Sequence, residues 1–147
     1  MSRYLFFEKS VLYEDFVKKC EKYALEHPKR HIISLASFDF SLEFLKGRDK
    51  EKHERQYIQL NTMFFEESLK RVDADYMLCE NYIVIKSRTK KPSFEFFESF
   101  LVEGQIILFP CDALVTNMKE SLILTPYCNF NDCASACARL ERLIKSY

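Results

Sequence analysis

Glycine is nearly missing from this chain of 147 residues; only Gly47 and Gly104 occur, with four prolines. Two glycines that far apart cannot make a GxGxxG turn or a Walker loop, so the glycine-rich phosphate cradles are excluded. Few turn formers also argue against an all-β sandwich or propeller. Net charge is lacking as well, with 22 Lys and Arg against 22 Asp and Glu. No overall field steers such a chain onto nucleic acid or an anionic membrane. No stretch approaches the ~18 apolar residues of a membrane span. Met1 to Ser10 carries Arg3, Glu8 and Lys9 without a long apolar core, so no signal peptide is expected. What is present is globular: 48% hydrophobic and 30% charged residues, in a length that suits one domain over 1–147 with a real core. These features predict a compact, cytoplasmic α/β protein.

Six cysteines occur, at Cys20, Cys79, Cys111, Cys128, Cys133 and Cys137. Without a signal peptide they are read as reduced thiols. The spacing C-x4-C-x3-C of the last three matches no common zinc pattern, and no histidine follows Cys79. Cys133 and Cys137 lie one helical turn apart beside Ala134, Ala136 and Ala138, so they read as small core residues and no metal is expected.

Hydrophobic spacing supplies the elements. Arg3 to Phe7 is short and strand-like. Ser10 is placed to cap a helix from Val11 to Leu25, whose apolar residues recur at helical spacing and which His27-Pro28 ends. Ile32 to Leu45 reads as a second, buried helix capped by Gly47. A long helix follows from Asp49 to Val72, with an apolar stripe of Tyr57, Ile58, Leu60, Phe64, Phe65, Leu69 and Val72. Strands are expected at Tyr76–Cys79 and Tyr82–Ile85. Ser93 is expected to cap a helix from Phe94 to Val102, with Gly104 ending it. Gln105–Phe109 and Leu122–Thr125 read as strands stopped by Pro110 and Pro126. Asn129 or Asn131 caps a last helix, Cys133 to Ile144, with Ala138, Leu140, Leu143 and Ile144 facing the core. The fold class is therefore α/β of the α+β kind. A small, mostly antiparallel sheet is covered on one face by helices, after a long N-terminal helical region.

Four stretches carry a family resemblance. Pro28 to Gly47 holds Ile33-Ser34-Leu35-Ala36 where a short N-x-x-S/xLAQ stretch opens a buried helix. His53 to Arg71 resembles a charged helix leading to L-x-x-x-L. Cys79-Glu80-Asn81-Tyr82-Ile83-Val84-Ile85-Lys86 is similar to an x-A-N-F-hydrophobic strand entry. Glu103 to Leu108, followed by Cys111, is similar to an x-G-I-L-V-R-D-C strand. Together they resemble the C-terminal, small domain of a fold-type I, pyridoxal-phosphate-dependent aminotransferase. The branch they suggest is that of histidinol-phosphate aminotransferase and threonine-phosphate decarboxylase. The resemblance implies a large domain or a homodimer partner, and pyridoxal phosphate once a large domain completes the site.

It also implies what is missing. The family's Schiff-base lysine would fall before Met1, so this chain alone is expected to hold no cofactor and no transamination chemistry. Arg3 matches the arginine of a G-x-R-x-G segment that contacts the cofactor phosphate, but neither flanking glycine is present. In the family's Y-x-R-I-S strand, an arginine binds the substrate carboxylate as a bidentate pair. Here the stretch is Ser121-Leu-Ile-Leu-Thr125, with Leu122 or Ile123 at that position. An apolar side chain cannot replace a guanidinium fork.

Read without the resemblance, a few residues have chemical potential. Asp112 and Cys111 follow a strand end, where functional loops are common. Asp39, Asp73 and Asp75 are further acids, the last two read as turn residues. His27-Pro-Lys-Arg-His31 is a compact basic connector able to meet a phosphate or carboxylate, or simply a solvated turn. Lys86, Arg88, Lys90 and Lys91 beside Phe94, Phe96 and Phe97 suggest a nucleic-acid surface, against which the zero net charge speaks. The expected function is an aminotransferase-like C-terminal domain, inactive alone. The alternative is a free-standing binding or regulatory module acting through protein contacts. A small enzyme built on Asp112, Cys111 or His31 ranks last, because no catalytic pair can be read from spacing.

Overall fold

A computed structural model describes residues 9–36, 51–79, 82–89, 91–113 and 120–145, the side chains of 51–57 excepted. Arg3, the strand at Arg3–Phe7, Asp39, Lys90 and most of the second expected helix with Gly47 lie outside the described residues.

The elements run α1 (Leu12–Glu26), β1 (Ile33–Ser34), α2 (Glu51–Arg71), β2 (Tyr76–Leu78), β3 (Ile83–Lys86), α3 (Ser93–Gly104), β4 (Ile106–Ile107), β5 (Phe109–Pro110), a 3-10 turn (Cys111–Ala113), β6 (Ser121–Leu124) and α4 (Phe130–Ile144). Two sheets result. One is an antiparallel sheet in the order β2-β3-β6-β5, and the other is the parallel pair β1-β4. The α/β class with a small, mostly antiparallel sheet is thus the fold observed.

The largest departure is at Ile33. A helix was expected there, yet Ile33 and Ser34 pair in parallel with Ile106 and Ile107. The Leu35 carbonyl then accepts from both the N–H and the hydroxyl of Thr125, at 2.8 Å each. Two long-range segments, residues 105–107 and Thr125, supply partners for this backbone, and that outweighs an apolar run's local helical tendency.

Helix ends differ too. Pro92, not Ser93, is the N-cap of α3, and the Ser93 hydroxyl instead accepts from Asp112 N at 2.9 Å. Gly104 is the last residue of α3, while Gln105 takes the left-handed cap at φ 51. Gly104 has another reason to lack a side chain. A Cβ there would stand 2.6 Å from Leu143 Cδ1, so glycine lets α4 approach. The bared carbonyls of Gly104 and Glu103 accept from Arg139 and Arg142 of α4.

The expected strand Gln105–Phe109 divides at Leu108. Ile106–Ile107 pairs with β1, and Phe109–Pro110 pairs with β6. Pro110 therefore lies inside a strand rather than stopping one, and it is tolerated because β5 is an edge. Asn129 caps α4, its carboxamide oxygen accepting from Asp132 N at 2.8 Å, so that helix begins at Phe130 rather than Cys133. Ala138 is exposed and Ala136 takes its place in the core.

The core joins Phe16 of α1, Phe65 and Leu69 of α2, Ile83 and Ile85 of β3, Phe96, Phe97 and Phe100 of α3, and Leu122 to Leu124 of β6. Phe16 meets Phe97 edge-on at 4.8 Å and Phe109 at 5.0 Å. Such tilted pairs align ring edges with ring faces. α2 packs along α4, and α3 packs on β5 and β6.

Candidate functional site

The residues singled out by sequence mostly have structural work. Asp112 holds the start of α3 from a distant turn: its Oδ2 accepts from Phe94 N at 3.2 Å, and its carbonyl accepts from the Ser10 hydroxyl at 2.7 Å. That Ser10 oxygen also takes the N–H of Leu12, so one serine ties α1 to the turn below α3. Cys111 is fully buried, and burial with the neighbouring Asp112 pushes its thiol up to about 12. A thiol so protonated is a poor nucleophile.

The basic connector does not act as one cluster. Arg30 Nη1 donates to Tyr23 OH at 2.7 Å, the His27 ring packs on Tyr23, and His31 Nε2 reaches Asp132 Oδ1 at 2.8 Å. The basic loop disperses likewise. Arg88 turns back to the Val72 carbonyl and toward Asp73, which takes the left-handed turn conformation at φ 54. Phe96 and Phe97 are buried, so neither offers a face for base stacking. The slot beside Lys86 and Arg88 measures only about 20 Å³, room for about one water.

A larger cavity lies elsewhere. It encloses about 530 Å³ between α2 and the β6–α4 connector, lined by Ile58, Asn61, Pro126, Tyr127, Cys128 and residues 129–131. That volume lies in the usual range of small-molecule sites. Asn61 builds it. It is 1% exposed, and its Nδ2 donates to the carbonyls of Pro126 at 3.2 Å and Cys128 at 2.8 Å. One carboxamide on α2 thereby fixes the connector that positions the start of α4.

The three C-terminal cysteines converge beside this cavity. The Cys133 thiol stands close enough to influence both Cys128 and Cys137, and Ser68 of α2 stands beside Cys137. Cys133 lowers Cys128 against the opposing effect of burial. Cys133 and Ser68, with Arg71 nearby, lower Cys137 to about 7 although burial and Glu141 oppose them. Cys133 itself is pushed strongly up. Cys133 is a core residue, as its spacing suggested, with Cys128 and Cys137 packed against the core. Among the described residues no group of three His, Cys, Asp or Glu side chains is placed to hold a metal ion.

Beside the cavity lies an apolar patch. Leu60, Met63 and Phe64 of α2 and Phe130 of α4 are between 44% and 62% exposed, and Phe64 meets Phe130 edge-on at 5.6 Å. Leu60 and Phe64 belong to the apolar stripe read from the sequence, yet they face outward. Asn61 and Ser68, which the stripe omitted, are buried alongside its Ile58, Phe65 and Leu69. A polar residue three positions after Ile58 and four before Phe65 was the available signal.

No family model matches the sequence, and no curated protein matches it. Solved structures do match. An aromatic aminotransferase from Pyrococcus horikoshii superposes with a TM-score of 0.58 at 18% identity, over 65% of this chain and 26% of that one. An aminotransferase from Staphylococcus aureus gives 0.58 at 17% identity, over 73% and 29%. N-Succinyldiaminopimelate aminotransferase from Mycobacterium tuberculosis gives 0.56 at 14% identity, over 72% and 30%. The fold is one that aminotransferases carry. At these identities the likeness is one of fold, and the chain spans 26% to 30% of the length of those three proteins.

Within that aminotransferase-like fold, β6 is buried at all four positions, with Leu122 and Ile123 in the core. Neither side chain can meet a carboxylate. Pyridoxal phosphate, implied by the sequence resemblance, needs an amine for its aldehyde and positive charge for its phosphate. The cavity lining contains no lysine and no arginine, and Asp132 stands in the first turn of α4 beside it. This cavity does not fit that cofactor.

No helix among the described residues is long and apolar enough to cross a membrane.

Proposed function

We propose that this chain is the small-domain part of a pyridoxal-phosphate enzyme of the aminotransferase kind, or a domain derived from one. In this reading it is inactive alone and works by docking on a large domain or on a homodimer partner. The observation that carries it is the aminotransferase fold joined to an uncovered apolar patch of Leu60, Met63, Phe64 and Phe130. Large apolar side chains grouped this way mark a contact surface, since monomers leave them scattered. Residues 1–147 act as one domain, and the cofactor comes with the partner. Arg3 is the one residue assigned here to the cofactor phosphate. The sequence motifs favour the histidinol-phosphate aminotransferase and threonine-phosphate decarboxylase branch. The Leu122-Ile123 strand argues that substrate carboxylate recognition, if any, uses another group.

Co-expression with an aminotransferase large domain tests this reading. A stable complex is expected, with Schiff-base absorbance that the chain alone does not show. Leu60→Asp with Phe64→Asp should release the complex and leave the chain folded. A chain that binds pyridoxal phosphate covalently and turns over an amino acid by itself would overturn the proposal. The patch equally supports a second reading, a free-standing module that binds another protein. Under that reading the chain ignores the large domain, and the same double variant abolishes the binding it does show.

A further inference from the structure

We propose that Cys128 and Cys133 form a peroxide-responsive thiol pair, in which hydrogen peroxide entering the cavity oxidises Cys128 and Cys133 closes a disulfide onto it. The inference stands on the thiol cluster and the cavity, and does not depend on an aminotransferase role.

Three features of the structure carry it. Cys128 lines a cavity of about 530 Å³, large enough to admit peroxide and water. Its sulfur lies within interaction range of the buried Cys133 thiol, five residues on in the same connector and helix start, so a resolving group is at hand. Its place is fixed, because Asn61 grips the Cys128 carbonyl at 2.8 Å and reaches the sulfur at 3.9 Å. Cys128 also precedes the N-cap Asn129, and the positive end of α4 favours a thiolate there. The groups facing the cluster are Ser68 and Arg71 of α2 and Asp132, Cys137 and Glu141 of α4.

The chemistry balances. The Cys128 thiol first releases its proton to solvent; the thiolate attacks one peroxide oxygen, the O–O bond breaks, and the hydroxide that leaves takes up that proton as water. Cys128 is then a sulfenic acid. Cys133 passes its proton to the neighbouring Cys137 thiolate, which returns it to solvent, and the Cys133 sulfur attacks the Cys128 sulfur. The S–O bond breaks, and the departing hydroxide is protonated by solvent to water. In sum two thiols lose two electrons and two protons, and one peroxide becomes two waters.

Cys133 has two possible partners, and geometry selects Cys128. Cys133 and Cys137 are four residues apart on one helix, where Cβ atoms stand about 5–6 Å apart. A disulfide needs about 3.5–4.5 Å, so that bond would unwind α4. Cys128 sits in the bend before the helix, where the chain can adjust. Cys111 and Cys20 serve as internal controls, since burial pushes both thiols up to about 12.

The full chain is treated with hydrogen peroxide, its remaining thiols are alkylated, and it is cleaved before Asp132 without reductant. The fragment ending at Asn131 should stay joined to the fragment beginning at Asp132, with a loss of two hydrogen masses, until reductant is added. Cys128 should react at least about tenfold faster than Cys111. Cys128→Ser and Cys133→Ser should each abolish the link. In Cys137→Ser the link should still form, with its pH dependence moved upward. Because the buried Cys133→Ser variant risks misfolding, the half-buried Cys128→Ser and the wild-type fragment map are each decisive alone. Fragments that separate after oxidation, a link that survives Cys128→Ser, or Cys111 oxidised as fast as Cys128 would each overturn the proposal.

Discussion

Two sides of this molecule are built by different rules. Around Phe97 the packing is mostly apolar, with Ser93 and Asp112 the polar groups at the start of α3. Phe16, Phe94 and Phe97 form edge contacts, β3 and β6 are buried, and α3 lies over them. Between α2 and α4 the contact is mixed. Asn61 and Ser68 are buried among Ile58, Phe65 and Leu69, three thiols converge, a cavity opens, and large apolar side chains face outward. This second side places polar groups where aliphatic residues would pack as well, and leaves apolar groups where polar ones would dissolve better. That inversion is what a site looks like in a chain otherwise consistent across levels.

Truncation should separate the two sides most sharply. Phe97→Ala removes a fully buried ring from the closed side, and should cost about 3–5 kcal/mol of unfolding free energy in a denaturant titration. Phe64→Ala, from a ring 44% exposed, should change it by about 0.5 kcal/mol or less. Equal losses would mean that the patch is part of the core. Asn61→Leu comes next. It keeps a side chain in place but strips the donor from two buried carbonyls, so a loss of about 1–3 kcal/mol is expected. No loss would show that the connector is held by something other than Asn61.

Much of the first side could be read directly from the sequence, and much of the second could not. The helices at 12–26, 51–71 and 93–104 follow from apolar spacing, and β3 and β6 follow from β-branched runs, because those signals are local. Ile33 failed because its strand partners, Ile106 and Ile107, lie more than seventy residues away. Gly104 was noticed for the wrong reason: it was read as a cap, whereas the approach of Leu143 is what requires it. The cysteine cluster was visible as a spacing, but Ser68 and Asn61 arrive from another helix. No spacing within residues 128–137 could announce them. Cys111 and Asp112 stood at a strand end, the usual place of chemistry, and proved to be a buried thiol and a helix brace.

Individual thiols pull stability in opposite directions with pH, Cys137 one way and Cys111, Cys20 and Cys133 the other. Cys137 falls from 9.0 to about 7 on folding. Between those values the unfolded chain holds a proton that the native chain has released, so stability rises with pH. After discounting for solvent near the half-buried sulfur, the gain is about 1 kcal/mol. Cys111 and Cys20 move the other way, from 9.0 to about 12. Above 9 the unfolded chain ionises first, and stability falls. Melting curves should therefore peak near pH 9, and Cys137→Ser should flatten the rise from 7 to 9 while leaving the fall. A rise that persists in Cys137→Ser would move its origin away from the cluster.

The smallest effect tests the junction between the two sides. Gln105 holds the left-handed cap of α3 at φ 51, and its carboxamide donates to the Val102 carbonyl at 3.1 Å. The backbone there suits glycine, while the neighbouring Gly104 is held open for Leu143. Gln105→Gly removes the left-handed penalty, worth about 1–2 kcal/mol, but loosens the unfolded chain and gives up one exposed hydrogen bond. The net should be a stabilisation of about 0.5 kcal/mol. Gly104→Ala, one position earlier, should go the other way, because its methyl must displace a buried Leu143 side chain and shift α4. Opposite signs at adjacent positions would show that α3 ends for a conformational reason at Gln105 and a packing reason at Gly104. The second reason then ties the closed side to the helix that carries the thiols.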